Sequence, residues 1–234
     1  MAIKIFADGA NLNDMLKIYE EGLVQGFTTN PSLMKKGGVT SYKQFSQKVL
    51  EKIKDVPVSF EVFTNDLDTM YKEAKEIASW GENVYVKIPI ITVNRESTIP
   101  LIKKLSDEGV KVNVTALYSI DQIQATVDAL NENVGGYVSV FAGRISDSGH
   151  DHMPIIKAAR EICDKKPKAE LLWASTREVY NITQAEQCGV DIITCPNDII
   201  YKYSKRGTNL LELSYQTVET FAKDIENLGF SVFE

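Results

Sequence analysis

The chain has 234 residues, 44% of them hydrophobic, with 26 Lys and Arg against 32 Asp and Glu and a net charge of −6. That length carries enough apolar mass for one large domain with a real core, and the acidic balance argues against a nucleic-acid surface, which needs clustered Lys and Arg to displace counterions. No run approaches the ~18 consecutive apolar residues of a membrane span, the segment MAIKIFADGANLND has no signal-peptide apolar core, and Cys163, Cys188 and Cys195 lack the spacing of a disulfide framework or zinc site, so a soluble cytoplasmic protein without membrane partners is expected.

In chain order, β-branched and aromatic runs predict eight strands: IKIFA (3–7), VQGFT (24–28), VPVSFEV (56–62), NVYVKI (83–88), VKVNVT (110–115), YVSVF (137–141), AELLWAS (169–175) and VDIIT (190–194). Charged-and-apolar stretches between them predict helices, among them 65–80, 97–108, 119–131 and 177–188, with a long last one over 209–228. Gly81, Gly109, Gly189 and Gly229 stand where left-handed caps would end helices. No linker or low-complexity tract divides the chain, so 1–234 reads as one domain, with 208–234 as a C-terminal helix and tail. Strands alternating with helices of this size are parallel βα units. The predicted fold is α/β, a single-domain (β/α)8 TIM barrel with an additional C-terminal helix. An open doubly wound sheet would offer a Gly-rich first turn, and FADGANLND has no GxGxxG.

Residues i and i+2 of a strand share a face. Val84, Val86 and Ile88 thus oppose Tyr85 and Lys87, Phe60 and Val62 oppose Ser59 and Glu61, and Ile5 and Ala7 oppose Phe6 and Asp8. Val112 and Val114 likewise oppose Asn113 and Thr115, Val138 and Val140 oppose Tyr137, Ser139 and Phe141, and Leu172 and Ala174 oppose Trp173 and Ser175. The aliphatic face suits a helix ring. The mixed face gathers its polar members at strand C-termini, the rim where barrel active sites lie. Asp8, Thr28, Asn30, Glu61, Lys87, Asn113, Thr115, Ser139, Arg144, Ser175 and Arg177 are therefore expected to converge on one pocket.

Lys87 is the most informative of these. A lysine inside a barrel is cut off from bulk water, desolvation disfavours an ammonium, and a neutral amine can form a Schiff base with a carbonyl. Asp8 and Glu61 on the same rim would supply the acid–base groups imine chemistry needs. The blander readings are a lysine that snorkels or pairs with those carboxylates, Asn113 and Thr115 satisfying each other, and Arg144 and Arg177 forming surface ion pairs rather than a phosphate site. TTNPSL (28–33) reads as a loop entering a helix at Pro31, with Asn30 as a possible cap. His150 and His152 lack a third ligand for a metal, and Cys195 reads as a small buried hydrophobe.

FADGAN from residue 6, TTNPSL, VKIP around Lys87, NVTALYS (113–119), FAGRI (141–145) and WAS near 175 together resemble the short-form transaldolase family, which includes bacterial transaldolases and fructose-6-phosphate aldolases. The resemblance implies Lys87 as the Schiff-base lysine and Asp8 as the carboxylate that takes and returns the substrate hydroxyl proton. Glu61 and Thr115 would hold a water for imine formation and hydrolysis. Asn30, Asn113 and Ser139, on the rim with Thr28, would grip the dihydroxyacetone unit, and Arg144, Ser175 and Arg177 the distal phosphate. Glu61 and Phe141 resemble the transaldolase branch, where the aldolase branch typically has Gln and Tyr. The implied activity is metal-free, cofactor-free transfer of a dihydroxyacetone unit from fructose 6-phosphate or sedoheptulose 7-phosphate to an aldose phosphate, in pentose-phosphate carbohydrate metabolism. Segments 147–152 and 173–181 depart from the commonest family patterns, which keeps open an aldolase, or a transaldolase acting on an acid-tailed ketose such as a sulfosugar. A barrel that binds sugar phosphate without turnover is the alternative of another class. Relatives commonly form rings such as decamers, which implies a homo-oligomer.

Overall fold

Strands β1 (Lys4–Asp8), β2 (Phe27–Thr28), β3 (Val58–Glu61), β4 (Val84–Pro89), β5 (Val112–Leu117), β6 (Gly136–Val140), β7 (Ala169–Trp173) and β8 (Ile192–Cys195) pair in parallel in chain order, and β8 returns to β1 to close a barrel. Parallel neighbours need crossovers, and helices supply them. These are α1 (Leu12–Glu20), α2 (Pro31–Lys36), α3 (Tyr42–Lys52), α4 (Leu67–Ala78), α5 (Ile99–Asp107), α6 (Ile120–Ala129), α7 (Ala142–Asp147), α8 (Met153–Cys163) and α9 (Tyr180–Gln187), and α10 (Asn197–Tyr203) follows the last strand. The structure is a computed structural model that describes residues 2–229 and 231–233. It divides into compact units 1–200, which holds the barrel, and 201–234, which holds the C-terminal helix α11 (Leu210–Leu228). Asn209 caps α11 by accepting from the Leu211 amide at 2.8 Å, and Gly229 ends it at φ +69°. The predicted barrel with an added C-terminal helix is therefore the observed fold. No helix among the described residues is long and apolar enough to cross a membrane.

The alternation places the core. Val84, Val86, Val112, Val114, Val138 and Val140 are buried towards the helix ring. Phe6, Tyr85 and Tyr137 point inward: Tyr85 stacks on Tyr137 with ring centroids 3.9 Å apart, and Phe6 meets Tyr137 edge-on at 5.8 Å. Each precedes a rim residue by two positions, so this aromatic layer is the floor beneath Asp8, Lys87 and Ser139. Burying one such ring is worth about 1.5–3 kcal/mol, which makes the floor a rigid base for the polar layer above it.

Four local expectations give way to packing. β2 is shorter than the run 24–28, because the Gln25 side chain takes the Ile5 amide at 2.9 Å, and because Gly26 sits where a Cβ would lie 2.5 Å from the Phe6 ring. α4 stops at Ala78, since Ser79 and Trp80 already donate back into its last turn, and Gly81 is not left-handed as Gly109, Gly189 and Gly229 are. α9 begins at Tyr180 rather than 177, because the Asn181 carboxamide accepts from the Arg177 and Glu178 amides and holds them outside the helix.

The fourth difference is the facing of β7. Leu172 and Ala174 join Phe6 and Tyr137 inside the barrel, whereas Trp173 faces outward, edge-on to His152 at 4.8 Å. The predicted parity is therefore reversed on this strand. Ser175 still reaches the pocket because it adopts φ +67°, a left-handed kink that breaks the alternation just past the strand end.

Candidate active site

Strand register assembles the reactive groups. Glu61 on β3 pairs across to Lys87 on β4, and Lys87 pairs to Asn113 on β5, so three polar side chains lie in one row around the barrel. Asp8 on β1 pairs with Thr28 on β2 in the adjoining row. A cavity of about 160 Å³ opens at the C-terminal ends of the strands. Asp8, Thr28, Asn30, Lys87, Asn113 and Thr115 line one side of it. Ser139, Phe141, Arg144, Ser175 and Arg177 line the other. Glu61 reaches the same place through Lys87, its Oε2 lying 3.3 Å from Nζ. The rim position thus brings together every residue that strand parity and motif singled out.

Lys87 is only 7% exposed; its Nζ donates to the Thr29 carbonyl at 3.2 Å and faces Glu61. Tyr42 from α3 fixes the backbone there by donating to the Glu61 carbonyl at 2.8 Å. Asp8 accepts from Thr28 Oγ1 at 2.9 Å. Burial raises the Asp8 carboxyl above its ordinary value of 3.8, against the smaller opposing pulls of the Lys87 cation and the Thr28 hydroxyl. One carboxylate therefore pairs directly with the lysine, and the other binds a proton more readily than an ordinary aspartate does.

The remaining polar groups divide into committed and uncommitted. Asn113 donates to Ser59 Oγ at 3.0 Å and accepts from Ser139 Oγ at 2.6 Å, which fixes its amide orientation. Asn113 and Thr115 therefore do not satisfy each other, and Thr115 Oγ1 is buried without a partner among the described residues. A buried hydroxyl left so carries a desolvation cost that a substrate or water hydroxyl in the cavity would relieve. Asn30 caps α2, its Oδ1 accepting from the Leu33 amide at 2.9 Å, and Pro31 starts the helix. Arg177 is bound to Asp147, while Arg144 lies 5.5 Å from the Phe141 ring with no ion pair among the described residues.

Sequence reading missed Thr194, which lines the cavity from β8 and shares a hydrogen bond with Thr28. It also missed Ser59, the Asn113 partner. Both were visible as polar residues at or near strand ends facing the mixed interior. Cys195, the next residue after Thr194, has its thiol pushed up to about 12 by burial, and so stays protonated. Among the described residues no group of three or more His, Cys, Asp or Glu is placed to hold a metal. A larger cavity, about 600 Å³, lies at the opposite barrel end, but its Lys4 and Arg160 are paired with Glu170 and Asp191.

A closed parallel barrel whose C-terminal mouth holds a buried lysine paired with Glu61, with Asp8 lining the same cavity, is the architecture of a barrel enzyme site. Comparison with known proteins makes this specific. Residues 5–232 match the family described as Transaldolase/Fructose-6-phosphate aldolase. A probable transaldolase of Dehalococcoides mccartyi is 37% identical over 199 residues, covering 85% of this chain and 88% of the relative. One from Nitrosopumilus maritimus is 34% identical, covering 97% and 96%. Among solved structures, KGPDC from Streptococcus mutans superposes with a TM-score of 0.58 at 12% identity, covering 86% of this chain and 91% of that one, a likeness of fold. The chain belongs to the transaldolase/fructose-6-phosphate aldolase family.

Proposed function

We propose that this protein is a Schiff-base transaldolase that moves a dihydroxyacetone unit from a ketose phosphate to an aldose phosphate. The observation that carries the reading is Lys87, buried in the cavity with Glu61 Oε2 at 3.3 Å and Asp8 as a second carboxylate. Lys87 adds to the donor C2 carbonyl, and loss of water gives a protonated imine. Asp8 takes the proton of the C4 hydroxyl as the C3–C4 bond breaks. The bond's electron pair passes to the imine nitrogen as an enamine, and an aldose phosphate leaves. The enamine attacks the incoming aldehyde, whose oxygen recovers the proton from Asp8, and hydrolysis of the imine frees product and lysine. A carboxyl with a raised proton affinity suits a group that must both take and return a proton.

Glu61 and Thr115 hold the water that enters and leaves at the imine, a role supported by the Lys87 contact and the unpartnered Thr115 hydroxyl. Thr28, Asn30, Asn113 and Ser139 grip the three-carbon unit, and Phe141 closes the cavity beside it. The cavity's 160 Å³ fits such a unit of six heavy atoms, since a cavity of about 150 Å³ accepts benzene. Arg144, Ser175 and Arg177 receive the distal phosphate at the mouth. Borohydride added with fructose 6-phosphate is expected to leave one reduced adduct, on the Lys87 peptide; an adduct elsewhere, or none, would falsify the mechanism.

Asp8→Asn is expected to slow turnover by about 10²–10⁴-fold, the usual contribution of a general acid–base group. It should also stabilise the protein at neutral pH. A carboxyl raised above 3.8 in the fold contributes stability below that pH and loses it as pH rises through the raised value. The melting temperature of Asp8→Asn should therefore exceed that of the parent by a margin that opens as pH rises above 3.8 and levels off past the raised value, as paired melting curves would show. We also propose a homo-oligomer. Leu211, Tyr215, Val218 and Ile225 share one side of α11, and such a stripe needs an apolar surface to cover it.

A further inference from the structure

Beside the two arginines that line the tail end of the pocket stands a third charge. Asp147 is the last residue of α7, one turn beyond Arg144, and it grips Arg177 from two sides. Arg177 Nε lies 3.2 Å from both carboxylate oxygens, and Nη2 bonds Oδ2. Arg177 foremost, and Arg144 as well, hold the Asp147 carboxyl below the usual carboxylate range, so it is ionised at neutral pH. Two guanidinium cations and one carboxylate leave this corner with a single net positive charge.

We propose that Asp147 tempers the grip of the pocket on a phosphate tail: by engaging Arg177 it leaves Arg144 as the uncommitted cation of this corner among the described residues, so a phosphate dianion is held less tightly than two free arginines would hold it and is less sharply distinguished from a singly charged tail. The inference rests on the reading of the site as one for ketose phosphate transfer, and it names what grades the affinity for the tail within it. A phosphate monoester carries about −1.5 to −2 charge at pH 7. To use both arginines, such a tail must break the Asp147–Arg177 pair and then sit beside the released carboxylate. The pair's side chains are 48% and 53% exposed, so breaking it is inexpensive and the effect is graded rather than absolute. The bond does not hold α7 in place. Ile145 is buried, and Ser146 Oγ lies 2.6 Å from Nδ1 of His152, itself packed on Trp173.

The test compares the parent protein with Asp147→Asn and Asp147→Glu. Inorganic phosphate binding, read by calorimetry at pH 7.5, should tighten about two- to fivefold in Asp147→Asn, the scale of a half-exposed ion pair that no longer competes for Arg177. The kcat/KM ratio for a phosphorylated ketose over the same ketose unphosphorylated should rise by a similar factor, through KM rather than kcat. Asp147→Glu, which keeps the charge, should keep the parent values. Phosphate binding that is unchanged or weaker in Asp147→Asn overturns the proposal, because Asp147 would then be inert or would aim Arg177 at the tail. Calorimetry needs no turnover, so the result stands even if borohydride finds no adduct on Lys87. An adduct on Lys87 with unmoved phosphate affinity sinks this inference alone.

Discussion

Lys87→Met is expected to remove turnover by on the order of 10⁵-fold or more, the scale seen when a covalent nucleophile is deleted, and to abolish borohydride-dependent labelling. No other amine stands in for it among the residues lining the cavity, where the other cations are Arg144 and Arg177, and guanidinium groups do not form imines. Calorimetric binding of inorganic phosphate should survive, since the tail end is untouched. A variant that keeps ligand binding after losing turnover excludes a purely ligand-holding barrel. The substitution also strands Glu61, whose side chain is only 16% exposed, and a buried carboxylate stripped of its partner is costly. Lys87→Met should therefore melt earlier than the parent, and adding Glu61→Gln should restore most of the loss without restoring activity. Turnover retained by Lys87→Met would end the Schiff-base reading.

The barrel was legible because each strand had to satisfy two surfaces at once. In β4 the aliphatic Val84, Val86 and Ile88 meet the helix ring while Tyr85 and Lys87 face inward, and that conflict of chemistry is written directly as alternation. Rim position followed from it, so Asp8, Lys87, Asn113 and Thr115 could be grouped from the sequence alone. Which of them touch was not legible. Contact depends on strand register, and register is set by barrel closure over the whole chain: Glu61 lies opposite Lys87 because β3 and β4 pair Val58 with Val84.

Where the reading failed, a local backbone choice overrode the pattern. AELLWAS contains apolar residues at both parities, so its facing had no chemical signature, and the kink at Ser175 let Ala174 and Ser175 both reach the cavity. The Arg177–Asp147 pair joins residues 30 positions apart, through a short helix the strand–helix alternation did not predict. The departures from family pattern in 147–152 and 173–181 already marked that corner, yet only the folded chain shows that they meet as one ion pair.

Gly143→Ala is expected to be the most damaging single-methyl change at the site. A Cβ at 143 would lie 1.7 Å from the Ser175 carbonyl oxygen and 2.8 Å from its carbonyl carbon, both main-chain atoms that cannot rotate away. Gly143 occupies the first turn of α7 and immediately precedes Arg144, while Ser175 is already held at φ +67°. Relief requires moving α7 away from the end of β7 by more than an ångström, which separates Arg144 from Ser175. Overpacking typically costs about 1–3 kcal/mol and occasionally more, and a clash between two backbones belongs at the top of that range. For a chain of this size about 3 kcal/mol lowers the melting temperature by roughly 6–12 °C. The paired signature is a KM for the phosphorylated donor that rises more than kcat falls, because Lys87 and Asp8 stand on β4 and β1, away from the displaced helix. Ser175→Gly in the Gly143→Ala background separates the causes. It removes the left-handed strain and the hydroxyl but leaves the carbonyl in place, so the melting temperature should stay low; full recovery would show that the Ser175 side chain, not its main chain, excludes a methyl at 143.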